Sequence, residues 1–143
     1  MLNKLCFGCL ILLIGMMLAC HKGDKASKSD KTMLQEKTEE AKAVVMENVK
    51  DPEKQKQVMK LIDENSKAIM KFHDDRMAAQ KKAWKLNFAY DASEADFKKL
   101  MSTFNKDYEE LLTTLIANRN SMRDLMTDVE WNEVNDHLLK VSK

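Results

Sequence analysis

An apolar stripe in alternating steps of four and three runs twice along this chain, with one interruption, and it requires a pair of long helices. The first run is Val58, Ile62, Asn65, Ile69, Phe72, Arg76, Ala79, Ala83, Leu86 and Tyr90. The second is Phe97, Met101, Phe104, Tyr108, Leu111, Leu115, Asn118, Met122, Leu125 and Val129. Steps of four and three hold these side chains on one helical face. Each run predicts a helix of about 35 residues, roughly 50 Å long. A short break at residues 90–94 between helices of matched length predicts an antiparallel hairpin. Composition agrees, with only three Gly and one Pro in 143 residues, which favours helix over sheet.

Folding the two runs about Asp91 pairs positions whose numbers sum to about 183, and small residues then face large ones as an interdigitated seam requires. Leu86 faces Phe97, Ala83 faces Met101, Ala79 faces Phe104, Phe72 faces Leu111, Ile69 faces Leu115 and Ile62 faces Met122. The polar exceptions also pair. Asn65 falls opposite Asn118, which satisfies both amides and pins the register, and Arg76 falls opposite Tyr108.

Local signals mark the helix starts. Asp51-Pro52-Glu53 supplies an N-cap, a first-turn proline and a first-turn carboxylate; Asp91 with Glu94, and Thr127 with Glu130, have capping-box spacing. A short helix over residues 33–49, with Leu34, Ala41, Val45 and Asn48 on one face, precedes the hairpin. Another follows it, with Trp131, Val134, Leu138 and Val141 aligned. The predicted fold is all-α: a long antiparallel helical hairpin with a short flanking helix at each end, four helices in all.

The N-terminus has a different character. Lys4, the apolar run Leu10 to Ile14 and the close Met17-Leu18-Ala19-Cys20 have the layout of a secretory signal. A small residue directly before cysteine resembles the lipobox of bacterial lipoprotein precursors. Residues 1–19 are therefore expected to be a signal peptide, Cys20 the lipidated residue, residues 20–32 a flexible tether and residues 33–143 the hairpin domain. Acyl chains on Cys20 would anchor the protein to a membrane of the cell envelope. Cys6 and Cys9 lie in the removed segment, so no disulfide or cysteine-based zinc site is expected.

Beyond the signal, the chain keeps 23 of its 24 basic residues and all 23 acidic ones, a balance that suggests no nucleic-acid partner. No nucleophile elbow, zinc-protease motif or phosphate-cradling glycine loop is present. The expectation is a non-enzymatic protein without a cofactor.

A second stripe on the first long helix points to binding: Met70, His73, Met77, Gln80, Trp84 and Phe88, rotated about 100° from the seam. The flanking helices start from the open end of the hairpin and are expected to cover only that end, helped by Leu112, Ile116 and Met126. The stripe would then be exposed in a monomer, and exposed apolar surface marks an interaction site. Met70, Met77, Trp84 and Phe88 are the candidate partner-binding residues, for a client polypeptide or a second copy of the chain. Met70, His73 and Met77 also make a thioether and imidazole set suited to Cu(I), which leaves a copper- or zinc-responsive envelope protein as an alternative. A purely structural homodimeric lipoprotein is another.

The element Leu125-Met126-Thr127-Asp128-Val129-Glu130 resembles the L-T-x-x-Q/E motif near the end of the long hairpin in the Spy/CpxP group of periplasmic helical proteins. It differs in the inserted Met126 and in Glu130 where Gln is usual. The order of short helix, long hairpin and short helix is similar over most of the mature chain. The resemblance implies chaperone-like binding on an amphipathic surface and, in some members, metal sensing.

Overall fold

The computed structural model describes residues 24–141, so the signal segment 1–19 and the lipidation candidate Cys20 lie outside the described residues. Four helices follow in order: α1 (Asp24–Asn48), α2 (Pro52–Phe88), α3 (Glu94–Leu125) and α4 (Asp128–Val141). No strand occurs among the described residues. The long pair α2 and α3 forms the expected hairpin, α1 packs along α2, and α1 also meets α4.

Each start has a local cause. Asp51 caps α2: its Oδ1 accepts from the backbone N–H groups of Glu53 at 2.9 Å and Lys54 at 3.1 Å, with Pro52 in the first turn, where its missing N–H costs nothing. At α4 the Thr127 hydroxyl accepts from the Glu130 N–H at 3.3 Å, and Glu130 accepts from the Thr127 N–H at 2.8 Å, a reciprocal capping box. For α3 the expected Asp91–Glu94 box is replaced by Ser93 with Asp96. Asp96 accepts from the Ser93 N–H at 3.0 Å and the Ser93 hydroxyl at 2.7 Å, while Ser93 Oγ accepts from the Asp96 N–H at 3.3 Å. Asp91 and Ala92 are taken up by the turn itself, closed by Ala92 N–H donating to the Ala89 carbonyl at 3.4 Å.

The core lies at the open end of the hairpin, where all four helices converge. Val44 and Val45 of α1, Val49 just after it, Val58 of α2, Met126 between α3 and α4, and Val134 of α4 are buried together, and Met59, Ile62, Met122, Leu125 and Trp131 pack around them. Trp131 sits beneath the guanidinium groups of Arg119 and Arg123, whose Cζ atoms lie 5.3 and 6.0 Å from the ring centroid, and this cation–π contact ties α4 back onto α3. Arg123 also pairs with Asp128. Met126 is buried at this end as expected; Leu112 is half-buried on α3, and Ile116 is exposed. Leu138 and Val141 of the expected α4 face lie outside the residues whose side chains are described.

The seam follows the predicted register in its middle. Asn118 Nδ2 donates to Asn65 Oδ1 at 2.9 Å, and Leu115 is buried. Toward the tip Phe72 packs between Phe104 and Tyr108, with ring centroids 5.6 and 5.7 Å away; the expected positions had set Leu111 opposite Phe72 and Arg76 opposite Tyr108. An aromatic knob fills the hole between residues four apart on the facing helix. On α3 the seam passes through Leu100, 8% exposed, while Met101 is 55% exposed. The run 97, 100, 104, 108 is an eleven-residue step, closer than a heptad to the natural 3.6-residue turn. Val129, the last position of the predicted stripe, is exposed because α3 ends at Leu125 and Val129 belongs to α4.

The largest departure is at α1. It begins at Asp24, nine residues before the predicted start, so the stretch from 24 to 32, expected to be tether, is helical. No Gly or Pro occurs between Asp24 and Asn48, and once the apolar half of α1 is docked on α2, each further residue adds one backbone hydrogen bond to an existing helix. The docking is antiparallel and continuous: Lys42 pairs with Asp63 at 2.6 Å, Thr38 donates to Ser66 at 2.9 Å, and Lys31 pairs with Asp74 at 2.8 Å.

Candidate functional site

The length of α1 decides how much of the second stripe is free. With Lys31 level with Asp74, α1 lies over the first half of the stripe, beyond the open end to which cover was expected to be confined. His73 is 5% exposed, and Met70 and Met77 are half-buried. The expectation of one continuous exposed surface from Met70 to Phe88 is therefore corrected: α1 covers its lower half.

The upper half stays open. Trp84 is 60% and Phe88 77% exposed, and their rings stack with centroids 5.6 Å apart and planes 15° from parallel. They are one helical turn apart, so α2 alone brings them together. Tyr90 in the turn and Met101 in the first turns of α3 are also exposed at this end of the hairpin. Among the described residues, half of the exposed large hydrophobic side chains thus lie at the tip, at the opposite end of the hairpin from the core. Stacking shields part of each ring from water and leaves the outer faces exposed.

Cations surround the rings. Lys81 and Lys85 lie on the same face of α2 as Trp84 and Phe88, and from Arg76 to Tyr90 the chain carries no carboxylate. Across the turn, Lys98 pairs with Glu94 at 2.7 Å. The Asp96 carboxyl is held below its ordinary value, chiefly by the Ser93 hydroxyl and backbone N–H, with lesser help from Lys99 and Lys82.

The Met70, His73 and Met77 set is the other candidate. His73 is buried with its Nε2 lacking a hydrogen-bond partner, between two half-buried methionines one turn away on either side. Among the described residues no group of three or more His, Cys, Asp or Glu is arranged to hold a metal ion, so thioether sulfur would have to supply the remaining ligands. The depression of about 640 Å³ along α3, lined by Phe97, Met101, Asn105 and Glu109 among others, is open to solvent and formed on one helix. It lacks the enclosure of a small-molecule site.

No described helix is long and apolar enough to cross a membrane. Comparison with protein-family models, with curated proteins and with solved structures gives no match for this chain.

Proposed function

We propose that this protein is a non-enzymatic lipoprotein of a bacterial cell envelope, held to a membrane through lipid on Cys20, and that it acts by binding at the tip of its hairpin. The observation that carries the binding role is the exposed, stacked pair Trp84 and Phe88, placed at the opposite end of the hairpin from the core. The signal-like segment and Ala19-Cys20 support the anchor. The chaperone-like activity implied by the Spy/CpxP resemblance requires this surface to take polypeptide, now at the tip alone and without the covered half of the stripe.

Two measurements test the reading. Labelled palmitate is incorporated by the wild type and not by Cys20→Ala. A photocrosslinker placed at position 84 in cells traps lipid or protein, whereas one at the exposed Glu133, near the core end, does not. Equal absence of adducts at both positions would sink the binding role.

A second reading is favoured by His73. An imidazole that is buried with one nitrogen unpaired, flanked by Met70 and Met77, has the ligand chemistry of a Cu(I) site in a metal-responsive envelope protein. Its test is a titration with Cu(I) and Zn(II); helical stability unchanged by either metal counts against it.

A further inference from the structure

The tip has one more neighbour, the N-terminal end of α1. Because α1 runs antiparallel to α2 and Lys31 is paired with Asp74, the seven residues from Lys31 back to Asp24 carry α1 about 10 Å further toward the tip. That places Asp24 level with Lys81. From Asp24 back to Cys20 is four residues, a reach of at most about 14 Å. Trp84 and Phe88 lie about 5 and 10 Å beyond Lys81 along α2. A lipid on Cys20 therefore brings the membrane to the aromatic end of the molecule and leaves the core end and α4 on the far side.

Charge divides the same way. Residues 24–28 and 76–102 together contain eight cations and four carboxylates, whereas residues 29–75 and 103–141 together contain 13 cations and 19 carboxylates. A nearly neutral chain thus has a basic tip and an acidic remainder. An anionic lipid surface attracts the first and repels the second. The residue types at the tip suit such a surface. Indole and phenol rings favour the boundary between headgroups and acyl chains, and lysines set beside them keep their ammonium groups at the phosphates while the stems lie along apolar surface. An extended polypeptide needs a longer apolar track, and α1 leaves open only the end of the stripe.

We propose that the hairpin docks tip-down on the anionic membrane that holds its anchor, with Trp84 and Phe88 entering the lipid boundary and Lys81 and Lys85 meeting lipid phosphates. The proposal rests on the assignment of Cys20 as the lipidated residue.

The two tryptophans make the test direct, since Trp84 is at the tip and Trp131 at the core end. Full-length lipidated protein is reconstituted into phosphatidylethanolamine vesicles, with or without phosphatidylglycerol, that contain a bromolipid quencher. Trp131→Phe leaves Trp84 as reporter, and Trp84→Phe leaves Trp131; circular dichroism checks that both stay helical. The expected result is quenching of Trp84 and not of Trp131, strengthened by phosphatidylglycerol and reduced by Lys81→Glu/Lys85→Glu. Protein that floats with the vesicles while Trp84 stays unquenched overturns docking and leaves the anchor intact. Protein that carries no lipid and does not float overturns the anchor, and docking with it. If Trp84 responds instead to a denatured polypeptide, or only in a dimer, the tip belongs to that partner and the docking proposal falls.

Discussion

Asn118 donates its side-chain amide to Asn65 across the hairpin seam at 2.9 Å, linking two residues 53 positions apart in the sequence. Both side chains are half-buried in a stripe that is otherwise largely apolar. Their bond therefore works more by excluding other registers than by adding stability, because shifting either helix by a turn would leave both amides facing hydrocarbon. Asn118→Ala is expected to cost about 1–3 kcal/mol, since it strands the Asn65 amide. Asn65→Leu/Asn118→Leu should recover most of that loss while loosening the register. Urea unfolding midpoints measure the first effect, and cysteine cross-linking between positions 69 and 115 measures the second. A single Asn118→Ala variant with unchanged stability would show that the pair does not specify the seam.

Met126 links α3 and α4 and is buried in the valine core. Met126→Ala is expected to destabilise the fold by about 2–5 kcal/mol, the range for removing a buried methionine side chain. Chemical denaturation followed by circular dichroism reads this directly.

Glu130 makes stability depend on pH. Its carboxyl is held below its ordinary value of 4.5, first by the Thr127 backbone N–H and then by the Thr127 hydroxyl. A carboxylate favoured in the folded state contributes stability that is complete above the ordinary value and is lost as pH falls through the lowered folded value. The difference in unfolding midpoint between wild type and Glu130→Gln should therefore be flat above pH 4.5 and shrink below it. Thr127→Ala removes the other half of the box, with an expected loss of about 1 kcal/mol at neutral pH. A wild-type minus Glu130→Gln difference that stays constant through the acid range would contradict the assignment.

Trp84 and Phe88 should matter to binding and not to folding. Trp84→Glu/Phe88→Glu is expected to shift stability by no more than about 0.5 kcal/mol, as for other exposed substitutions, while abolishing crosslinks from the tip. A large loss of helicity would mean that the rings support the hairpin.

His73→Leu is expected to leave stability unchanged or raise it, because it replaces a buried imidazole with an unpaired nitrogen by an apolar side chain of similar size. A strong loss would show that the imidazole has a structural partner, and Cu(I)-dependent stabilisation present in the wild type but absent in His73→Leu would establish the metal reading.

What the sequence by itself determined about this protein is what short-range physics governs. The alternation of four and three requires α2 and α3, and the Asp51 and Thr127 caps depend on groups no more than three residues apart. The Asn65–Asn118 register also followed, because two amides in an apolar seam have few satisfactory partners. The choice between Asp91 and Ser93 as the cap was harder to read, since both stand within one short turn and only the path of the turn selects Ser93. Periodicity also left Leu100 and Met101 equally acceptable, adjacent residues on a stripe whose step changes near the tip. Tertiary structure alone decided the fate of the second stripe. The polar stretch before Met33 has no apolar rhythm to announce a helix, yet docking of the Val44–Val49 segment on α2 lets α1 propagate back to Asp24. That extension buries His73, leaves Trp84 and Phe88 in water, and brings the start of the fold to the basic, aromatic tip. No local pattern encodes these outcomes, because each depends on where one helix lies against another.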